Sequence, residues 1–293
     1  MQIAFHIGAN CTDEDRLLKS TLKNADTLLQ HGIAVPGPGK YRKLIREAIE
    51  SLAGGAPTEE ARDVLLDAIV EEDNISRILL SNDNFITIPK RIFDHGVFYH
   101  QAEKKVRGLH QLFPDDDISL FLGIRHPASF LQETAARAGV GSLAQYLGVL
   151  PPAAILWSDV IRRIKHAAPT TPLYVWCNED TPLIWDELIR LFSGVSADVQ
   201  MAGQLDIVSH IISADALDAL KTRIATVSPG EIELRQTLIA DTLEMHALPE
   251  LVEDIIELPE LNAPLVQAMT DAYEADLDVI ADMEGVDLIL PFD

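Results

Sequence analysis

The chain has 293 residues, a formal net charge of −23 at pH 7 and two cysteines. This excess of carboxylates argues against nucleic acid and anionic membrane surfaces as partners, and two distant cysteines argue against a disulfide framework or a paired metal-ligand motif. No apolar run approaches the roughly 18 residues that a membrane-spanning helix needs, so we expect a cytoplasmic protein.

The first predicted unit is a strand, a tight loop and a helix. An apolar run from Ile3 to Ile7 ends at Gly8, a polar turn follows, and leucines recur at helical spacing from Leu17 to Leu29. The N-terminus of a helix placed after such a loop offers free backbone N–H groups to an anion. The candidate anion-binding residues of this loop are Gly8, Ala9, Asn10, Cys11 and Thr12.

Three consecutive acids, Asp13, Glu14 and Asp15, follow the loop. Thr12 is predicted to be the N-cap of the helix, with Asp15 as its capping-box partner. Each carboxylate in a first helical turn is stabilised by about 0.3–1 kcal/mol, so these acids would occupy the place of a ligand phosphate and repel it. The residues therefore favour a capped structural helix. A divalent-cation site on the three acids is disfavoured, because adjacent acids on a helix splay apart.

The remaining elements alternate between apolar runs and amphipathic segments. Helices are predicted over 44–52, 58–72, 102–113, 142–147, 151–167, 181–192, 213–226, 231–246 and 261–284, strands over 77–80, 118–124 and 173–177, and either a last strand or a docked tail over 288–290. The alternation predicts a three-layer α/β fold with a largely parallel sheet. We expect one α/β domain over 1–293, with its core at about 1–195 and a mostly helical part at about 196–293.

Two stretches outside the first loop carry side chains of possible chemical use. Lys40, Arg42 and Lys43 form a basic cluster, which we interpret as a solvated helix start or, alternatively, as an anion-binding feature. His95 and His100 lie in an irregular stretch. Local sequence selects neither histidine for proton transfer, and solvent-facing or hydrogen-bonded structural roles are favoured.

The N-terminal stretch resembles the signature of a bacterial sulfotransferase-like family. The matching residues are His6-Ile7-Gly8, Thr12, the leucine register from Leu17, Asn24, and Gly32-Ile33 with Pro36. The resemblance implies a P-loop-like α/β fold whose loop cradles the 5′-phosphosulfate of the donor phosphoadenosine phosphosulfate (PAPS). The family lysine falls on Cys11, the family glycine on Asp13, and two threonines on Glu14 and Asp15.

A second point of resemblance follows the strand predicted over 118–124. Arg125 and Pro127 match the family, whose arginine and a later serine hold the 3′-phosphate of the donor, but that serine position falls on Glu133. Ser129 is one helical turn nearer and is the alternative hydroxyl. The favoured interpretation is an internal ion pair of Arg125 with Glu133 or with the acids 13–15.

The resemblance covers about three-fifths of the chain and implies a histidine or carboxylate base, for which His6, His95 and His100 are candidates. The leading hypothesis is a sulfotransferase-like protein with a degenerate PAPS site and a non-catalytic binding or structural role. It predicts no cofactor, no metal, and a small anionic ligand or a protein as partner. The alternative is an active PAPS-dependent enzyme that transfers sulfate to a hydroxyl acceptor, and whether the chain is an enzyme stays open.

Overall fold

The computed structural model describes residues 1–52, 55, 58–252 and 255–292. The described residues form six β-strands and fourteen α-helices. The strands are Gln2–His6 (β1), Ile33–Ala34 (β2), Arg77–Ser81 (β3), Asp117–Ile124 (β4), Leu173–Cys177 (β5) and Val286–Ile289 (β6). The helices are Arg16–Leu22 (α1), Ala25–Gln30 (α2), Pro38–Leu52 (α3), Glu59–Ile69 (α4), Ala102–Leu112 (α5), Pro127–Ala138 (α6), Leu143–Leu147 (α7), Trp157–Ala167 (α8), Thr181–Ser193 (α9), Val208–Ile211 (α10), Ala214–Ile224 (α11), Ile232–His246 (α12), Pro249–Val252 (α13) and Ala263–Ala281 (α14).

All six strands join one parallel sheet in the order β2-β3-β1-β4-β5-β6. The first strand is central, and its Gln2 is in register with Arg77 of β3 and Asp117 of β4. A parallel sheet is covered on both faces, which explains why its strands read as continuous apolar runs in the sequence. The predicted α/β fold with a largely parallel sheet is therefore confirmed.

Alternate residues of the strands enter two different cores. Phe5 of β1 belongs to a large cluster with residues of α3, α5, α6 and α8, whereas its neighbour Ala4 belongs to a second cluster with Leu17 of α1 and Trp185 of α9. This alternation is the two-residue period of a strand, seen from both faces. Helices thus cover the sheet on both sides.

The described chain after α9 is mainly helical. Buried apolar residues of α10, α11 and α12 form a third cluster, and the long helix α14 packs against α6 and α8 before the chain enters β6. The segment 288–290, predicted as a strand or a docked tail, overlaps an edge strand whose Val286 is in register with Leu173. No helix of the described part is long and apolar enough to cross a membrane.

Several element boundaries differ from the predictions for local reasons. The leucine-rich stretch forms two helices, because Asn24 turns the chain and accepts a hydrogen bond from Ala202 N–H at 2.6 Å. The third helix begins at Pro38, within the predicted loop, since proline suits the first helical turn. The helix predicted from residue 151 begins only at Trp157, after a short 3₁₀ turn.

Candidate functional site

The loops after β1 and β4 diverge to opposite faces of the sheet. These two strands are neighbours. The chain leaves β1 into α1, which contacts α9 on one face, and leaves β4 into α6, whose Phe130 lies in the core of the other face. In open parallel sheets, ligands bind in the crevice formed at such a switch point, beyond the carboxyl ends of the strands. The two candidate anion sites, the Gly8–Thr12 loop and Arg125, therefore meet at this crevice.

A cavity of about 450 Å³ occupies the crevice. Its described polar lining consists of Cys11, Thr12, Glu14, Arg16, Arg125, Glu133, Arg137, Asn178, Glu179 and Thr181, and its apolar lining of Pro182, Ile207, Ile211, Leu251 and Val252. Three arginines and three glutamates thus share one cavity. Because the whole chain has a net charge of −23, this local balance of charges repels an anion less than the average surface of the protein does.

The Gly8–Thr12 loop is held on the sheet by backbone hydrogen bonds. Ala9 N–H donates to Gly123 O at 2.8 Å, and Gly123 N–H donates to Gly8 O at 2.8 Å. Gly8 has a φ of +124°, and a Cβ there would lie 3.2 Å from Asp83 O, so the position favours glycine. Thr12 Oγ1 donates to Ala9 O at 2.7 Å. The threonine hydroxyl therefore closes the loop on itself.

Asp13, and not Thr12, caps the helix α1. Its Oδ2 accepts the backbone N–H of Leu17 at 3.0 Å, and its Oδ1 accepts that of Asp15 at 3.2 Å. The predicted capping box is wrong, because Asp15 stands immediately before the helix with a φ of 64° and makes no side-chain cap. The broader expectation is met in a different way: a carboxylate of the chain occupies the N-terminus of the helix.

Asp15 instead forms an ion pair with Arg42. The guanidinium donates to both carboxylate oxygens, at 2.5 and 3.2 Å, and its Nε donates to Ser81 O at 3.0 Å. Partial burial would raise the pKa of Asp15, but the hydrogen bonds and charge of Arg42 outweigh it and hold that pKa below its usual value. Arg42 of the basic cluster therefore holds the loop acid in place. Lys40 and Lys43 pair with Glu71 and Glu47 on the surface.

A third carboxylate, Asp83, lies beneath the loop. Burial, with the charges of Asp15 and Asp13, raises its pKa above the usual value. Asn84 Nδ2 donates to Asp83 Oδ1 at 2.6 Å. The described residues contain no group of three acidic, histidine or cysteine side chains suited to a metal ion. The negative charges of Asp13 and Asp15 beside this loop would repel a phosphate.

Cys11 lines the cavity. Its side chain is buried, and burial raises the pKa of the thiol to about 11. At neutral pH the group is therefore an uncharged thiol, which neither neutralises an anion nor acts as a nucleophile. The backbone N–H groups of residues 11–14 find no acceptor within the described chain, so a ligand in the crevice can still reach them.

Arg125 and Ser129 are neighbours at the opposite wall of the crevice. Arg125 Nε donates to Ser129 Oγ at 3.2 Å, and its Nη1 donates to Cys11 O at 3.0 Å. The predicted ion pair of Arg125 with Glu133 or with the acids 13–15 is wrong, since no pair among the described residues joins them within 4.0 Å. Arg125 therefore links the two candidate sites through a backbone carbonyl.

The three candidate histidines lie in different environments. His6 is fully buried, with Nδ1 2.9 Å from Ser81 Oγ and 4.0 Å from Asp13 Oδ2, and Nε2 has no partner among the described residues. His95 and His100 are exposed, with rings 4.8 Å apart, and neither belongs to the described cavity lining. None of the three therefore faces the crevice as a base would.

Sequence reasoning missed a histidine that lies next to the crevice residues Arg125 and Glu179. His126 N–H donates to Glu179 Oε1 at 2.8 Å, and its Nε2 lies 2.9 Å from Thr270 Oγ1 of α14. Tyr273, on the same helix, approaches Glu179 Oε2 at 3.5 Å. The acidic turn after the strand 173–177 was the available signal for Glu179, but nothing local indicates that α14 returns to this point.

The comparisons with known proteins assign no family. No protein-family model matches the chain, and no curated protein and no solved structure matches it.

Proposed function

We propose that this chain is a sulfotransferase-like binding protein with a P-loop-like fold, which does not bind PAPS and does not transfer sulfate. The observation that carries the proposal is the position of Asp13, whose carboxylate accepts the N–H groups of Asp15 and Leu17. A donor phosphate at this turn would need the same helix N-terminus and would meet a negative charge there. The position of the family lysine holds the neutral thiol of Cys11.

The arginine side chains that line the crevice favour a small anion as the ligand. Arg16, Arg125 and Arg137 line the same cavity, and Glu14 lies 3.9 Å from both Arg16 and Arg137. A guanidinium fork binds a carboxylate or a single phosphate group through two parallel hydrogen bonds. The proposed role is therefore non-catalytic binding of a compact anionic ligand at the switch point.

Calorimetric titration with PAPS and with adenosine 3′,5′-bisphosphate tests this function. The unmodified protein should bind both compounds with a Kd above about 1 mM, that is, with less than about 4 kcal/mol of binding free energy. Binding at about 1 μM or tighter, near −8 kcal/mol, would show that the donor site works and would refute the proposal.

Three variants identify the electrostatic cause. Cys11→Lys restores the family cation, and Asp13→Asn removes a charge while keeping an amide oxygen that can cap the helix. We expect the double variant to bind adenosine 3′,5′-bisphosphate more tightly than the unmodified protein. Glu47→Gln is the matched control, because Glu47 is exposed and lies outside the described cavity lining. It should restore nothing.

An active transferase is the second candidate, and one observation favours it. Arg125 and Ser129 lie within hydrogen-bond distance of each other beside the loop, which is the pair that a 3′-phosphate would need. An Arg125→Gln variant separates the two proposals. Loss of nucleotide binding in this variant supports the transferase, whereas an unmodified protein without nucleotide binding supports the non-catalytic role.

A further inference from the structure

A second cavity, of about 250 Å³, lies between α9 and α12, away from the crevice residues. Its walls are mainly apolar and include Leu183, Leu191, Val195, Leu205, Ile232 and Ile239. One end is polar, with Asp186, Arg190 and Arg235. A small apolar pocket with a few convergent polar groups is the usual form of a ligand site.

The polar end contains two arginines that are more than nine-tenths buried. Arg190 and Arg235 are 9% and 8% exposed. Both pair with one carboxylate: Arg190 Nε donates to Asp186 Oδ1 at 2.9 Å, and Arg235 Nη2 to Asp186 Oδ2 at 3.2 Å. Both oxygens of Asp186 are therefore engaged. Glu187 also lines the cavity.

Arg235 has hydrogen-bond donors that find no acceptor among the described residues. Its Nη2 donates to Asp186 and, at 3.2 Å, to Gln204 Oε1, whereas Nε and Nη1 find no acceptor within the described chain. Neither atom is among the fully enclosed unpartnered atoms, so both retain accessible surface. Because the residue is almost wholly buried and lines the cavity, an acceptor inside the cavity is well placed to reach these donors.

Arg190 has fewer unused donors than Arg235. Its Nη1 donates to Ser196 O at 3.0 Å and to Val199 O at 2.9 Å, while Nε donates to Asp186. These bonds fix the loop after α9 and leave only Nη2 of Arg190 without an acceptor in the described chain. Arg235 has two such nitrogens and is therefore the better placed of the two to receive a ligand. A guanidinium only donates hydrogen bonds and carries a positive charge, and Nε and Nη1 lie on different edges of the group, so each donates singly; a carboxylate oxygen supplies both an acceptor and the opposite charge.

We propose that the cavity between α9 and α12 binds a small amphipathic carboxylic acid, with its carboxylate on Arg235 and its apolar body against Leu205, Ile232 and Ile239. A cavity of about 150 Å³ accommodates a six-carbon ring, so this one suits a ligand on the order of ten non-hydrogen atoms. The site is independent of the switch-point crevice and of the function proposed for it.

The probes are 4-ethylbenzoate and octanoate, each compared with its primary amide. The amides keep the apolar body but remove the charge, so we expect each acid to bind at least about tenfold more tightly than its amide. Binding is measured by calorimetry and as a ligand-dependent rise of the unfolding temperature. The proposal is overturned if neither acid binds below about 1 mM, or if an amide binds as tightly as its acid.

Two variants locate the site. Arg235→Gln should weaken acid binding by at least about tenfold and leave amide binding nearly unchanged. Ala197→Trp should fill the cavity from its loop side and abolish binding of both acids. Arg223→Gln is the matched control, since Arg223 is exposed on the neighbouring α11 and lies outside the described cavity lining. It should leave the affinity within about twofold.

The tests remain decisive if one variant does not fold. The comparison of acid with amide uses the unmodified protein, and Ala197→Trp leaves Arg235 in place. Acid binding that survives Ala197→Trp, or that is lost in Arg125→Gln, would place the ligand elsewhere and would overturn the proposal.

Discussion

The hydroxyl of Tyr99 and the loop residue Asn10 exchange two hydrogen bonds. Asn10 N–H donates to the hydroxyl at 3.0 Å, and the hydroxyl donates to Asn10 Oδ1 at 2.8 Å. Asn10 Nδ2 also donates to Asn84 Oδ1 and to Thr87 O. Burial holds the pKa of Tyr99 well above its usual value, so the phenol keeps its proton. The candidate anion loop is thus fixed by the irregular segment before α5.

Tyr99→Phe should therefore lower the free energy of unfolding by about 1–3 kcal/mol, since it leaves a buried N–H and a buried amide oxygen without a partner. Urea denaturation measures the change. Tyr174→Phe is the control, because the Tyr174 hydroxyl has no hydrogen-bond partner among the described residues, and it should change stability by less than about 0.5 kcal/mol. Equal effects of the two substitutions would contradict this account of the loop.

The cap of α1 gives a second prediction. Asp13→Ala removes the acceptor for Asp15 N–H and Leu17 N–H and should cost about 0.5–2 kcal/mol of stability. Asp13→Asn should cost less, since asparagine is as good an N-cap residue as aspartate. The measurement is the urea midpoint at an unchanged slope. If Glu14→Ala, at an exposed position that does not cap α1, proved as costly as Asp13→Ala, the assignment of the cap would be wrong.

The sequence predicts the sheet better than the loop. The runs around Leu120 and Val175 identify strands because parallel strands bury both faces, which makes them continuously apolar. The contact of Tyr99 with Asn10 spans 89 residues and leaves no local pattern. The cap of α1 leaves no local pattern either. Asp13 caps the helix in place of Thr12 because the threonine hydroxyl donates to Ala9 O instead.

The two cavities differ in how far the sequence predicts them. The sequence indicates the two candidate sites of the crevice, the Gly8–Thr12 loop and Arg125, because each follows an apolar strand, whereas their meeting at a switch point is seen only in the structure. The cavity between α9 and α12 was not foreseen, since Arg190 and Arg235 are ordinary members of amphipathic helices until their burial is known. The pairing of Arg235 with Asp186 spans 49 residues, joins α12 to α9 and depends on helix packing.

The Asp15–Arg42 pair predicts that the free energy of unfolding falls at acid pH. The folded-state pKa of Asp15 lies below its usual value of 3.8. Its contribution is therefore present above pH 3.8 and is lost as the pH falls through the lower folded-state value. Asp15→Asn should lower the free energy of unfolding at pH 7 and make its decline below about pH 4 less steep. Unfolding curves between pH 3 and 7 test this, and an equally steep decline of the free energy of unfolding in the variant would contradict it.

Asp83 predicts the opposite dependence. Because its pKa is raised in the folded state, first by burial and then by Asp15 and Asp13, the folded protein holds this proton more tightly than the unfolded chain does. The stability from this proton is present below the usual pKa and is lost as the pH rises through the folded-state value. Asp83→Asn should therefore raise the unfolding temperature at pH 7.

The control for this prediction is the same pair of proteins at low pH. Below the usual pKa of 3.8 the carboxyl is protonated in both states, so Asp83→Asn should lose most of its advantage there. A variant that is less stable than the unmodified protein at pH 7 would show that the carboxylate is needed in its charged form.

The two thiols give the last prediction, which concerns reactivity. Burial raises the pKa of Cys11 to about 11 and that of Cys177 to about 12. Both side chains are less than one-tenth exposed. Since the thiolate is the reactive form, both residues should be alkylated by iodoacetamide much more slowly at pH 7.5 than a free thiol with a pKa near 8.5. In urea both should react at the rate of an ordinary cysteine.

Mass spectrometry of alkylated peptides resolves the two sites, and Cys11→Ser and Cys177→Ser identify each signal. Cys11 should react the faster of the two as the pH is raised, because its pKa is the lower one and its side chain lines the crevice. A ligand that enters the crevice should slow the reaction of Cys11 and leave that of Cys177 unchanged. Rapid alkylation of Cys11 at pH 7.5 would instead show a thiolate beside Arg125 and Arg137, and the crevice would then hold a nucleophile and not a neutral wall.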